Sequence, residues 1–486
     1  AWPLAGGAAV TTADTPRATR RLLDGHHPQA EPLRVLAASG QLGYGIPQAA
    51  FERGIARRPH FIGCDMGSID PGPFYLGSGQ MAAPPAMVRR DLALVLEAAL
   101  SAGVPLLIGS AGTAGAAPHL QATAALLEEI ANERGWSFRL ATVASDVPAA
   151  KVVAALLEGR LRPVDDVVAQ PGYTPPPATD IEACSHIVAQ CGTETFERAL
   201  ATDPDVVLAG RACDTAIFAA LPLMLGYPAG LALHMAKIVE CTSLCCQPGG
   251  RDAMLATLDL EGFTLESLNP ALHATPASVA AHALYEQADP WAVEEPGGTL
   301  SLREARYEAL DGHRTRVWGA HFQPREGFTL KVEGAARVGA RAVLLAGVAD
   351  PAMLQALPEA LVQVEAKVRA LLPGPWQVHP HVYGHGAVRP LPAAQRSTHE
   401  AGLVLEFIAP DAEQARTAAG VFKQALLHHG FAGRVATAGN LAFAFTPSEL
   451  DAHDAYRFVL YHVLEGADPQ AVFHIETREV GATALH

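Results

Sequence analysis

The sequence has no CxxC pair: its seven cysteines (Cys64, Cys184, Cys191, Cys213, Cys241, Cys245 and Cys246) are odd in number and scattered. That argues against a disulfide framework or a structural zinc site built on paired cysteines, and it predicts a reducing, cytoplasmic setting. Positive charge is scarce as well. Lys plus Arg total 35 against 50 Asp plus Glu, for a net charge of -15. With no basic run to track a phosphate backbone, a nucleic-acid partner is not expected. No apolar stretch reaches the roughly 18 residues of a membrane span, so none is predicted. What is present is a low charged fraction of 17% beside a hydrophobic fraction of 49%, the composition of a well-packed globular chain. At 486 residues it is too long for one ordinary core, and two or three domains are expected.

The opening residues, "AWPLAGGAAVTTADTPRATRR", mix small and polar types and read as a disordered or trimmed leader over 1–30. From Leu33 a rhythm sets in of short apolar run, glycine-rich turn and alanine- and leucine-rich helix. The runs are LRVLAAS (33–39), HFIGCD (60–65), VPLLIGS (104–110), FRLATVAS (138–145), SHIVAQC (185–191) and DVVLAGR (205–211). Strands apolar on both faces and alternating with helices predict an open, mostly parallel sheet of about six strands with helices on both faces, an α/β domain over 31–300. Pro-rich PGYTPPPATD (171–180) reads as a linker. LALHMAKIVECTSLCCQPGG predicts a helix with a Pro-Gly-Gly stop, and 252–300 is poorly patterned. Over 301–486, FTLKVEGAARVGARAVLLAGV alternates like a hairpin pair, and two strand-then-helix stretches follow. That order predicts a second, α+β domain of ferredoxin-like type.

In an open parallel sheet the ligand crevice lies outside the carboxyl ends of the strands. The runs above end in Ser39 and Tyr44; Asp65 and Ser68; Ser110 and Thr113; Ser145 and Asp146; Gln190, Thr193 and Glu194; and Arg211 and Asp214. Hydroxyls and carboxylates therefore converge on one edge. GSAGTAG (109–115) is either a tight connection or a nest of N–H donors for a carboxylate or phosphate. It carries no GxGxxG fingerprint and no Walker lysine, and neither does SGQLGYG (39–45); Asp65 keeps a nucleotide reading open as a ribose-binding acid.

Asp65, at the mouth of a buried strand, is the candidate general acid or base, because desolvation raises a carboxyl pKa. Asp70, before Pro-Gly, is either turn chemistry or, with Asp65 and a histidine, a divalent metal ligand. Arg211 either pairs with Asp214 or clamps a substrate carboxylate bidentately. His234, Lys237 and Glu240 recur at helical spacing in an apolar segment, where a Lys–Glu pair needs a reason. Cys245 and Cys246 read as packing residues. His379 and His381 share a strand face, a spacing compatible with zinc ligation, though without an acidic partner in register. His385 is a candidate polar contact, and Asn440 and Ser448 read either as ligand contacts or as helix punctuation.

The motifs LGYG, FIGCDMGSIDPGPFYLGSG, PLLIGSAGTAG, VVLAGRACDTAIF, HMAKIVEC, VYGHGAV and TAGNLAFAFTPSELDAHDAYRFVLYHV together resemble the acyclic terpene utilisation (AtuA-like) family, in order, from about 33 to 480. Met66 and Ile69 stand where that family more often has small or polar residues. The resemblance implies a link to organic-acid and acyl-CoA catabolism and a small companion domain or protein, and it brings no catalytic residues with it.

The expectation is a cytoplasmic, homo-oligomeric hydro-lyase or hydratase acting on a small carboxylate, hydroxy acid or CoA ester. Asp65, Lys237 and Glu240 are its catalytic candidates. Ser39, Tyr44, Ser68, Ser110, Thr113, Thr193, Arg211, Asp214, His234, His385 and Asn440 are its binding candidates. No cofactor or metal is obligatory. The alternatives are a metal-assisted hydrolase or C–C lyase and a non-catalytic subunit of an acyl-CoA carboxylase-type complex.

Overall fold

The computed structural model describes residues 16–164, 174–285 and 287–481. All six apolar runs become strands, and five of them, Leu33–Ser39, Phe61–Asp65, Leu106–Gly109, Val206–Ala209 and Phe138–Ala144, lie side by side in that order, each parallel to the next. They form the centre of a ten-stranded sheet. Antiparallel strands Met254–Leu258, Phe263–Ser267, Arg314–Trp318 and Arg306–Ala309 extend it on one side, and His474–Val480 closes the other. The strand period of two sorts the core. Val35 and Ala37 face one apolar cluster with the helices Asp214–Met224 and Ala229–Val239. Leu36 and Ala38 face another with Pro85–Ala102 and Ala117–Arg134.

The sixth run departs from expectation. Cys184–Ala189 leaves the parallel sheet and pairs antiparallel with the strand Phe328–Val348. Only its second half is buried, so it had one face to cover rather than two. The Phe328–Val348 stretch, expected as a hairpin, is one strand of 21 residues. Gly334 and Gly339 keep ordinary negative φ, so nothing in it turns the chain. The poorly patterned 252–300 region holds two of the sheet strands and the helix Pro276–Leu284.

The chain divides into two compact units, 1–336 with 458–486, and 337–457, rather than at residue 300. The reason is hydrogen bonding: the start of Phe328–Val348 pairs with Cys184–Ala189, and His462–Leu464 pairs with Leu161–Pro163, which assigns these segments to the first unit. Within the expected leader, residues 1–15 lie outside the described part, while Ala18–Gly25 is a helix. Leu22 buries against the core, and Ala18 and Arg20 donate backbone N–H to Asp205 and Asp203. Of the expected linker 171–180, residues 171–173 lie outside the described part and Ala178–Glu182 is a short helix.

In the second unit a strand is followed by the helix Pro351–Leu371, the strands Gln377–Tyr383 and Ala401–Ala409, the helix Ala412–Leu427 and a final strand. Numbered in sequence, these four strands lie in the spatial order 2-3-1-4, with the 1–3 and 2–3 pairs antiparallel. That is the ferredoxin-like arrangement, its helices packed over one apolar cluster. Among the described residues no helix is long and apolar enough to cross a membrane.

Candidate functional site

The carboxyl ends of the parallel strands bring together a dense group of ionisable side chains in the first unit. Arg211, just past the Val206–Ala209 strand, is 4% exposed. Its Nε and Nη2 donate to the two oxygens of Glu333 at 2.8 and 3.3 Å, and its Nη1 donates to Ser110 Oγ at 3.0 Å and to the Ala212 carbonyl at 3.1 Å. The fork expected for a substrate carboxylate is thus occupied by an internal one. Glu333 also accepts from Gln190 Nε2 at 2.7 Å, and its side chain is fully buried. A guanidinium matched bidentately to a carboxylate gives a geometrically specific link, here between the end of the Val206–Ala209 strand and the body of the strand Phe328–Val348, 122 residues apart.

Asp65 ends the Phe61–Asp65 strand with 3% exposure. One oxygen, Oδ2, accepts from the Gly67 N–H at 3.0 Å, while Oδ1 is buried without a hydrogen-bond partner. Burial, and then the nearby Asp214 carboxylate, hold its pKa well above the usual carboxylate range; Arg211 opposes them. Two acids that cannot both ionise comfortably divide one proton between them. Asp214 starts the helix after Arg211, lies 3.8 Å from its Nη1 and keeps 39% of its side chain exposed. Burial raises its pKa too, against the pull of Arg211, Lys237 and Lys331. Asp65 is the more enclosed of the two, and burial pushes both carboxyls upward.

Lys237 and Glu240 sit at the end of the helix Ala229–Val239, both buried, 3.8 Å apart. Lys237 lies over the Tyr285 ring at 5.0 Å, so its charge has both an anion and an aromatic face. Glu240 acts electrostatically on Asp65, and Lys237 on Asp214. Beside them Glu295 accepts from Thr215 Oγ1 at 2.9 Å, and burial pushes its pKa up to about 7.

Other candidates take different places. His234 shares the helix but not the cluster: it is fully buried, edge-on to Phe263, 3.2 Å from Tyr307 OH, and burial alone lowers its pKa to about 3. Ser39 and Ser68 accept from Gln41 and Asp70 N–H and shape their turns. Tyr44 is exposed, with Arg251 over its ring. Thr193 begins the helix Thr193–Leu200. Ser110 and Thr113 are buried in the GSAGTAG turn. There the N–H groups of Ala111, Thr113 and Gly115 donate to backbone carbonyls, so much of the expected nest is used internally. The SGQLGYG loop is pinned likewise: buried Asp91 accepts from Gly43, Gly45 and Ile46. His385 and Asn440 belong to the second unit. His385 Nε2 lies 3.0 Å from the Ser397 carbonyl. Asn440 Nδ2 donates to Leu426 and His429 carbonyls at the end of the helix Ala412–Leu427.

Asp70 is exposed on its turn. Among the described residues, the groups spaced to hold a metal are His26, Glu31 and His60, and Glu240, Cys241 and His282; neither includes Asp65 or Asp70. Open cavities of about 390 Å³ and 320 Å³ lie away from the strand-end cluster. The first is lined by pairs such as Arg57–Glu266 and Arg314–Asp311 on the antiparallel side of the ten-stranded sheet, and the second lies in the second unit.

Glu333, Glu295 and His282 were not among the sequence candidates. Glu333 carried the clearest signal, a lone acid in the small and apolar stretch VEGAA, whereas Glu295 and His282 fell in the region without a pattern.

Fold and cluster define an α/β protein whose parallel strands present an acid-rich, buried edge, joined in one chain to a ferredoxin-like unit. The chain belongs to the acyclic terpene utilisation family: the profile of "Acyclic terpene utilisation family protein AtuA" matches residues 86–247 and 273–453, well over half of its length. Those matches include Arg211, Asp214, Lys237, Glu240 and Glu333. No match was found among curated proteins or among solved structures.

Proposed function

We propose that this chain is a catabolic enzyme acting on a small carboxylate, hydroxy acid or CoA ester, and that it eliminates or adds water by moving a proton alpha to the carboxyl carbon. The observation that carries this reading is Asp65: a buried acid at a strand end, its pKa pushed up by burial and by Asp214, with one oxygen unclaimed by the protein. A neutral carboxyl beside an ionised one is the acid–base division that dehydration needs.

In this mechanism Asp214 takes the α-proton, and the electron pair of the broken C–H bond forms the new double bond. The β C–O bond breaks as Asp65 delivers its proton to the departing hydroxyl, which leaves as water. Lys237, oriented by Glu240, faces the enolate charge that develops between these steps. Arg211 and Glu333 tie the end of the Val206–Ala209 strand to the strand Phe328–Val348 and take no proton. Hydration runs the same steps backwards.

The test pairs a thermal-shift screen of hydroxy acids, unsaturated acids and their CoA esters with kinetics on the best binder. Asp65→Asn, Asp214→Asn and Lys237→Met should each lower kcat by roughly 10²–10⁴-fold. Asp65→Asn should still exchange the α-hydrogen with deuterated water, since only the departure of hydroxyl needs its proton, while Asp214→Asn should lose exchange as well. Full turnover by Asp65→Asn would end this proposal.

A further inference from the structure

Helix Ala229–Val239 ends where two reactive groups leave it in succession. Glu240 closes the helix, Cys241 follows, and Thr242, at φ +54°, turns the chain away. The helix Pro276–Leu284 brings His282 against this corner. One ligand atom from each of Glu240, Cys241 and His282 lies within 4.8 Å of the other two. The three come from two segments separated by more than forty residues of chain, so neighbouring sequence alone does not explain the grouping.

The geometry points to a binding site for one borderline-soft divalent cation of the zinc class, held by the Glu240 carboxylate, the Cys241 sulfur and a His282 nitrogen, with a fourth position open. This goes beyond the proton-transfer reading and does not depend on it.

Three features support the assignment. The donor set is one sulfur, one imidazole and one carboxylate, which zinc accepts and which magnesium and calcium, taking oxygen alone, do not favour. His282 Nε2 is buried with no hydrogen-bond partner, so the ring offers a nitrogen that the protein leaves unsatisfied. Third, in tetrahedral zinc sites, bonds of roughly 2.0–2.3 Å place ligand atoms about 3.5 Å apart; adjustments of about an ångström close this cluster to that spacing. Glu240 already faces Lys237 with one oxygen, which neutralises part of its charge and orients it as an outer partner does in a metal site.

The second cluster with metal spacing shows why such grouping is not sufficient. His60 Nδ1 accepts the Arg34 N–H at 2.9 Å, which leaves Nε2, the nitrogen facing Glu31, as the ring's remaining ligand atom. The Arg34 guanidinium stands 3.1 Å from that same nitrogen. There one ring nitrogen is used and a guanidinium stands against the other, whereas the cation beside the proposed site, Lys237, faces a Glu240 oxygen at 3.8 Å and the Tyr285 ring.

The experiment is a titration of chelator-treated full-length protein with Co²⁺, followed by competition with Zn²⁺. One equivalent should bind and produce a thiolate-to-cobalt charge-transfer band in the near ultraviolet, and Zn²⁺ should remove it. Cys241→Ser should abolish the band. His282→Ala should weaken binding by at least the roughly 10–100-fold that loss of an outer-shell partner brings. Absence of the band in the wild-type protein, its survival in Cys241→Ser, or unchanged affinity in His282→Ala overturns the assignment. The wild-type spectrum decides even if a variant misfolds. Because the readout is spectroscopic, failure of the hydro-lyase proposal leaves it unaffected.

Discussion

Replacing Glu333 by Gln is the sharpest test of how the end of the Val206–Ala209 strand is tied to the strand Phe328–Val348. The substitution keeps the volume but removes the charge that balances Arg211, whose Nε and Nη2 both donate to it, and it sets a new amide NH₂ among the Arg211 and Gln190 donors. The Glu333 side chain is fully buried and that of Arg211 nearly so. Arg211 would keep only the more distant, part-exposed Asp214 at 3.8 Å, and removing the hydrogen-bonded partner of a buried pair costs about 3–5 kcal/mol. Urea unfolding at pH 7, read on the transition of the first unit, should show a loss of at least about 3 kcal/mol. Two controls separate charge burial from generic damage. Glu266→Gln, which breaks the surface pair with Arg57, should cost less than about 1 kcal/mol. The double variant Arg211→Met with Glu333→Leu should recover most of the loss, since apolar replacement of a whole buried pair is close to neutral. A loss below about 1 kcal/mol in Glu333→Gln would refute the reasoning, because the pair would then behave as an exposed one.

Glu295 makes stability depend on pH. Burial holds its pKa at about 7 in the folded chain against roughly 4.3 when unfolded, so the folded state binds the extra proton between these values and stability falls as pH rises through that window. Glu295→Gln removes this penalty: the variant should match the wild type near pH 4 and exceed it by on the order of 3 kcal/mol at pH 8; parallel unfolding curves across that range would contradict it. Gly115 tests the turn beneath Arg211. Its φ is +69°, and an added Cβ would stand 2.1 Å from the backbone nitrogen of Arg211, so Gly115→Ala should cost about 2–3 kcal/mol and lower the melting temperature, whereas an unchanged melt would show that the backbone there yields freely.

Much of this architecture was legible because local rules carried it. Five apolar runs became adjacent parallel strands, since residues apolar on both faces have nowhere to go but a covered sheet. Asp65 was found at a strand mouth for the same reason. The ferredoxin-like unit followed from its order of strands and helices. Other features depended on partners distant in sequence. Cys184–Ala189 looked like its neighbours, and only pairing with Phe328–Val348 drew it out of the parallel sheet. Asn440 could be read as ligand contact or punctuation until its amide was seen bonded to the end of the helix Ala412–Leu427.

The sequence by itself determined which groups stand at the strand ends, because periodicity and turn chemistry act over a few residues. Tertiary structure alone decided what each group does there. Whether Arg211 is free for a ligand depends on Glu333, 122 positions away. Which acid keeps a proton depends on burial and on the carboxylates and cations around it, and the pairing of His282 with Cys241 and Glu240 exists only once two helix ends meet. Charge and desolvation act through space, so their outcome is written in the fold and not in the neighbouring residues of the chain.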